Sequence, residues 1–224
     1  MLQRMFQKIA FAVVPVGVVL FASGMIVQAQ DDPVKAGARI ASSGFGGVPA
    51  CSSCHGTRGQ GNPVAGFPAL AGLNATYLER QILDMKAGTR LLNPAMEPVV
   101  QGLDATQIQA VSAYYASIPA VAGPAVAGGD VARGKELVEQ GDWDRRIPAC
   151  SQCHGPNAAG IGPNFPRLAG QSAMYLANQM GAWKRDERKN DVNGLMSTVA
   201  KRLTDADVAA LGAYLQSLGE GGGQ

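Results

Sequence analysis

The chain of 224 residues uses all four of its cysteines and both of its histidines in two copies of one hexapeptide. The copies read CSSCHG at residues 51–56 and CSQCHG at residues 150–155. In each copy two thiols stand three residues apart, and an imidazole follows the second thiol directly. Thiolates and imidazoles bind metals, and thiols also form covalent bonds to sulfur or carbon, so chemistry is expected here.

The spacing C-x-x-C-H is typical of covalent haem attachment. Two thiols at this spacing on a turn can both reach the vinyl groups along one edge of a haem. The residue after the second thiol then lies beneath the iron and can bind it through a ring nitrogen. The pattern therefore predicts two covalently attached haem c groups, one on Cys51, Cys54 and His55 and one on Cys150, Cys153 and His154.

Three other interpretations of the cysteines compete with haem attachment. A redox-active C-x-x-C motif belongs to a βαβ arrangement, and no run of this chain shows strand-like alternation. A zinc site usually separates the cysteine pair from its histidines by a dozen residues or more. Structural disulfides would be permitted in an exported protein, but they leave the recurrent histidine unexplained.

A haem iron held in this way usually has a second axial ligand. No histidine is left for this role, so methionine is the expected donor. Met96 and Met196 match one another at an offset of 100 residues, whereas the other methionines outside the N-terminal segment match different residue types. Both lie in segments that we expect to be irregular, where a loop can cross the far face of a haem. Core packing and an open coordination position are the alternatives to ligation.

Residues around the histidines and methionines suggest supporting roles. Pro68 and Pro166 follow the histidines by 13 and 12 residues, and a carbonyl there could accept the free imidazole N–H or simply belong to a turn. Arg90 and Arg188 precede the methionines. Arginine binds carboxylates bidentately, so these two could pair with haem propionates or could instead be solvated surface residues.

An internal repeat divides the chain. FPALAGLNATYLERQ at residues 67–81 matches FPRLAGQSAMYLANQ at residues 165–179 with an offset of 98. Slightly different offsets elsewhere indicate a duplicated domain with loop insertions. The Pro- and Gly-rich stretch before the second copy is typical of a linker. We expect one domain over residues 30–121, a linker over 122–129 and a second domain over 130–224.

Each half is predicted to contain three main helices, so the fold class is all-α. The first covers about residues 33–43 and 130–140. The second follows Asn74 and Ser172, which are typical N-cap residues. The third begins at D-x-x-Q and T-x-x-D patterns that resemble capping boxes, at Asp104 and Thr204.

Residues 1–29 have the features of a signal peptide. Arg4 and Lys8 precede an uncharged apolar run, and VQA at residues 27–29 offers a cleavage site. We expect export to the periplasm, with a retained membrane anchor as the alternative because the run could span a bilayer. Without these two residues the 19 basic side chains become 17 and balance the 17 acidic ones. This balance argues against a function driven by binding to nucleic acid or to a charged membrane surface.

The chain resembles the class I c-type cytochromes, and more closely the di-haem cytochrome c4 group, over about residues 35–220. The resemblance is carried by CSSCHG and CSQCHG, by FPALAG and FPRLAG, and by one methionine before each C-terminal helix. It implies two tandem cytochrome c domains that face each other about a pseudo-twofold axis, with haem propionates near their interface. It also implies the axial pairs His55 with Met96 and His154 with Met196.

The function that the resemblance implies is electron transport in the periplasm, in which each haem iron carries single electrons, and not catalysis. The expected partners are redox proteins of a respiratory chain, namely a quinol-oxidising complex, a terminal oxidase or a flavoprotein dehydrogenase. A permanently bound subunit of a flavin-containing dehydrogenase or oxidase is the alternative. A di-haem peroxidase or thiosulfate-oxidising enzyme fits less well, because no further histidine or cysteine is left to act as a ligand or a base.

Overall fold

The structure is a computed structural model that describes residues 32–90, 94–121 and 128–219. The described part is helical, and its only β-type pairings are isolated bridges. The predicted signal peptide and most of the predicted linker lie outside these residues, so both stay predictions. Among the described residues no helix is both long and apolar enough to cross a membrane.

The two halves contain the same order of helices. In the first half these are α1 (Pro33–Ser43), α2 (Ser52–His55), α3 (Ala75–Lys86), α4 (Glu97–Gly102) and α5 (Ala105–Ser117). In the second half they are α6 (Val131–Glu139), α7 (Ser151–His154), α8 (Ala173–Lys184), α9 (Leu195–Arg202) and α10 (Asp205–Ser217). The prediction of an all-α protein with a duplicated domain is confirmed.

Side-chain caps define where the main helices begin. The side chains of Asn74 and Ser172 accept hydrogen bonds from backbone N–H groups in the first turns of α3 and α8. Asp104 and Thr204 each form a complete capping box at the start of α5 and α10. Because these caps satisfy N–H groups that have no partner within the helix, the helices begin at the residues that the sequence predicts.

The first and last helices of each half pack closely against each other, α1 on α5 and α6 on α10. A glycine makes this approach possible in each pair. A Cβ atom on Gly37 would lie 2.0 Å from the carbonyl oxygen of Ala110, and one on Gly134 would lie 2.1 Å from that of Ala210. No larger residue fits these positions without moving the helices apart.

The segments around the methionines differ from expectation. Met96 is the N-cap of α4, and Met196 lies in the first turn of α9, so the prediction of an irregular segment was wrong for Met196. The helix α9 is only eight residues long, too short for its apolar periodicity to be recognised in the sequence. Its last turn contains Lys201 and Arg202, which interact favourably with the negative end of the helix dipole.

The interface between the halves is built from residues that are equivalent in the repeat. Arg90 and Arg188 form an antiparallel bridge with each other. Both arginines donate to the side-chain oxygens of Gln81 and Gln179, over distances of 2.8 to 3.3 Å. Arg90 matches Arg188, and Gln81 matches Gln179, at the offset of 98. Contacts between equivalent residues are what a pseudo-twofold axis requires.

A network of acidic and basic side chains ties α10 to the beginning of the second half. Asp207, which is buried, accepts hydrogen bonds from Arg145 at 2.7 and 3.1 Å and lies 3.4 Å from Arg133. Hydrogen bonds from Arg145 hold the pKa of Asp207 well below its usual range. The same two arginines lower the pKa of Asp142 from 3.8 to about 2.

Replacing Asp207 with Asn is expected to lower the free energy of unfolding at pH 7 by about 2 kcal/mol, because hydrogen bonds to charged groups contribute about 1.5–3 kcal/mol each. In the wild type this stabilisation is complete above the unfolded-state pKa. It is lost as pH falls through the lower folded-state value. The variant should therefore lose less stability than the wild type when the pH is lowered from 5 to about 2. Guanidinium titrations followed by far-UV circular dichroism measure both effects.

Asp205→Asn is the control for this prediction. Asp205 lies in the first turn of the same helix and pairs with Lys184, but its side chain is fully exposed. Its loss should change stability much less than the loss of Asp207 does, because solvent screens an exposed ion pair. Equal effects of the two substitutions would contradict the stabilising role of the buried carboxylate.

Candidate cofactor sites

Each hexapeptide forms a single helical turn that ends at its histidine. The backbone N–H of His55 donates to Cys51 at 2.9 Å, and that of His154 donates to Cys150 at 2.8 Å. The turn ends at a glycine with a φ of 80° in the first copy and 78° in the second, a conformation that favours glycine. The final glycine of the hexapeptide thus lets the chain leave the turn directly after the imidazole.

Both imidazoles are held by a proline carbonyl. The Nδ1 atom of His55 lies 2.9 Å from the carbonyl oxygen of Pro68, and that of His154 lies 2.7 Å from the oxygen of Pro166. A carbonyl oxygen can only accept, so Nδ1 carries the proton in each ring. The lone pair of each neutral ring is therefore on Nε2.

The two Nε2 atoms are buried and have no hydrogen-bond partner among the residues that the structure describes. Burial lowers the pKa of both histidines, while the hydrogen bonds to Pro68 and Pro166 raise it in part. The result is a neutral imidazole with a free lone pair, which is the form that binds a metal. Leaving such an atom without a partner costs free energy, so these two atoms indicate a ligand.

A cavity of about 430 Å³ lies against the first hexapeptide. Its lining includes Cys51, Cys54, His55, Met96, Pro68 and Arg90, which are all of the residues predicted for the first site. The apolar core of this half is divided into two clusters, one around Ile108 and one around Tyr77, and members of both line the cavity. A flat apolar group with one edge at the thiols fits this arrangement.

Only some of the residues predicted for the second site line this cavity. Pro166 and Arg188 line the cavity just described, whereas Cys150, Cys153, His154 and Met196 are not among its lining residues. Cys150 packs against the core of the second half, and Met196 is half-buried on α9. The turn and the proline carbonyl of the second site repeat those of the first, but the structure does not bring Met196 and His154 to this cavity.

The part of the cavity lining between the two halves, which we call the wall, is positively charged. The cavity lining includes Arg90, Arg167, Arg185 and Arg188 and, among the residues described, no carboxylate. Arg188 is 6% exposed, and its guanidinium stacks 4.1 Å from the ring centre of Trp183. The buried guanidinium of Arg188 donates to side-chain amide oxygens, so it can also accommodate an anionic group such as a propionate. Arg185 is exposed and pairs with Glu187 at 2.7 Å.

Sequence reasoning missed several polar residues of this wall. Gln81 and Gln179 accept hydrogen bonds from both arginines, and the hydroxyl of Tyr175 accepts one from Arg90 at 2.8 Å. A signal was available, because both glutamines occupy identical positions in the repeated segment. A glutamine that recurs at the equivalent position of α3 and α8 indicates a shared interface.

Two family models match the chain. Residues 131–219 match the family described as cytochrome c, and residues 32–114 match cytochrome C oxidase, cbb3-type, subunit III.

The similar proteins include thiosulfate dehydrogenase electron acceptors and cytochromes c4. The "Thiosulfate dehydrogenase electron acceptor" of Thiomonas intermedia is 45% identical over 167 residues, which is 74% of this chain and 76% of that protein. The cytochrome c4 of Thiocapsa roseopersicina is 37% identical over 174 residues, 76% of this chain and 88% of that protein.

The solved structures that match include a thiosulfate dehydrogenase and cytochromes c4. A thiosulfate dehydrogenase (TsdBA) from Marichromatium purpuratum matches with a TM-score of 0.79 and 41% identity; the match covers 83% of this chain but only 40% of that one. Reduced recombinant cytochrome c4 from Pseudomonas stutzeri matches with a TM-score of 0.71 and 30% identity, over 84% of this chain and 98% of that one.

Replacing both Cys51 and Cys54 with Ala should remove one covalently bound cofactor and leave the other, because each hexapeptide is predicted to hold its own. Mass spectrometry of the purified protein measures the number of covalent additions directly. Ser53→Ala, at an exposed position inside the same hexapeptide, is the matched control and should keep both additions. Two additions in the double cysteine variant would show that these thiols are not the attachment points.

Proposed function

The chain belongs to the cytochrome c4 family of di-haem class I c-type cytochromes, and on that premise we propose that it accepts electrons from a thiosulfate-oxidising dehydrogenase. It carries two covalently bound haem c groups, and its role is electron transfer. Its donor, its compartment and the residues that hold each haem are part of this proposal.

The observation that carries the electron-transfer proposal is the pair of buried Nε2 atoms without a partner. His55 and His154 present these atoms as iron ligands, while the carbonyls of Pro68 and Pro166 fix the orientation of the rings. Bound haem supplies a one-electron couple between ferrous and ferric iron. Cys51, Cys54, Cys150 and Cys153 hold the two haems through thioether bonds.

Met96 and Met196 are proposed to be the second axial ligands. Met96 lines the same cavity as His55, which supports its assignment. A thioether ligand favours the reduced iron more than a second histidine does, and it fills the position that an enzyme would need for its substrate. Arg90 and Arg188 add positive charge that also favours the reduced state and can bind propionates.

The proposed donor rests on the named relatives. The thiosulfate dehydrogenase electron acceptor shares 45% identity with this chain, compared with 37% for the cytochrome c4, and the TsdBA structure gives the higher of the two TM-scores. With the signal peptide that the sequence predicts, the electrons would be accepted in the periplasm and passed to a respiratory acceptor. The flavoprotein partner expected as an alternative stays a prediction.

We expect each haem to lose its methionine-type spectrum when its own methionine is replaced. Met96→Leu and Met196→Leu should each remove about half of the weak long-wavelength absorption band that a methionine–iron bond gives in ferric cytochromes. Met174→Leu is the control, because Met174 is 48% exposed and matches Thr76 in the repeat. A full band in either ligand variant would assign the axial position to another residue.

Thiosulfate should reduce both haems only when a thiosulfate dehydrogenase is also present. The measurement is stopped-flow absorption at the ferrous haem band, with the oxidised protein mixed with thiosulfate, with and without a purified dehydrogenase. Reduction by thiosulfate alone would favour an enzyme over a carrier. Absence of reduction with the dehydrogenase, together with rapid reduction by ascorbate, would exclude this donor while leaving the carrier function intact.

A further inference from the structure

Gln171, just before α8 in the second half, bonds to the backbone of the first half. Its side-chain oxygen accepts from the N–H of Ala69 at 2.8 Å, and its side-chain nitrogen donates to the carbonyl of Ala69 at 3.0 Å. The same oxygen also accepts from the N–H of Ser172 at 3.0 Å, which fixes the orientation of the amide. The residue is 5% exposed, so water does not compete for these bonds.

The N–H of Ala69 belongs to the same peptide group as the carbonyl of Pro68. That carbonyl accepts the Nδ1–H of His55 at 2.9 Å. A continuous path therefore runs from the amide oxygen of Gln171, through one peptide group, to the imidazole of the first site. Hydrogen bonds arranged in such a chain polarise one another, because an acceptor on the N–H makes the carbonyl of the same group more negative.

We propose that Gln171 is a positioning residue that tunes the first haem site from the other half of the protein. By polarising the Pro68–Ala69 peptide group it strengthens the hydrogen bond to His55 and makes Nε2 a stronger donor to iron. A stronger nitrogen donor stabilises the ferric state. The relay thus lowers the reduction potential of the first site. This inference rests on the proposed role of His55 as an axial ligand.

The relay serves one site and not the other. In the repeat, Gln171 is equivalent to Leu73, whose side chain has no polar atom and lies in the core of the first half. Within the described part of the first half, no side-chain amide bonds to the peptide group between Pro166 and Arg167 that holds His154. The two sites therefore differ outside their hexapeptides. Because the relay lowers the reduction potential of the first site only, this difference favours electron transfer from the first site to the second.

The test is Gln171→Leu, which introduces the residue that the repeat has at the equivalent position. The chain contains only two histidines, so ¹⁵N-histidine labelling gives two ring systems, and their paramagnetic shifts follow each iron separately through a redox titration. The Met96→Leu variant, altered at the first site alone, identifies the ring of His55. We expect the reduction potential of the first site to rise and the Nδ1–H signal of His55 to move upfield. The reduction potential of the second site and the Nδ1–H signal of His154 should stay unchanged.

Asn164→Ala is the matched control. It removes another hydrogen bond between the halves, from Arg80 to Asn164 at 2.7 Å, without touching the path to His55. It should leave both potentials unchanged. Equal shifts of the two potentials in Gln171→Leu, or no shift at all, would overturn the relay. Wild-type imidazole rings without paramagnetic shifts would instead show that the ligand assignment itself fails.

Discussion

The hydrogen bond between a histidine Nδ1 and a proline carbonyl is the interaction on which both sites depend. It decides the tautomer, because a carbonyl can only accept, and it leaves the Nε2 lone pair buried and without a partner. A protein gains nothing from such an atom unless something binds it. The two copies share this arrangement although the histidine and the proline are 13 residues apart in the first copy and 12 in the second.

The fold is organised around the space next to this imidazole. In the first half the apolar side chains form two clusters that face a common cavity, so the cofactor completes the core. Domains of under about 100 residues bury little apolar surface on their own, and a covalently attached porphyrin adds the missing part. The close contact of α1 with α5, and of α6 with α10, provides a frame for this core.

The interface between the halves is polar and buried, which makes its geometry specific. Arg90 and Arg188 both donate to the side-chain oxygens of Gln81 and Gln179 across the pseudo-twofold axis, and loss of a glutamine would remove an acceptor from both guanidinium groups. Residues that break this symmetry therefore show where the surroundings of the two sites differ. Arg188 stacks on Trp183. Gln171 bonds to the backbone of the first half, whereas its counterpart Leu73 has no polar side-chain atom that could bond to the second half. Such differences give two similar haem sites unequal environments.

The sequence by itself determined the duplication, the helical class, the helix caps and the cofactor type, because each depends on residues that are near in the chain and have few physical alternatives. C-x-x-C-H is such a pattern, and so are the capping boxes at Asp104 and Thr204. Only the tertiary structure decided that α9 contains Met196, that both arginines bind the two glutamines, and that Gln171 contacts Ala69. The helix α9 is short and packs on α8 of its own half. The two contacts between the halves depend on how segments about 100 residues apart in sequence meet, and no local pattern encodes the partner of a buried polar side chain.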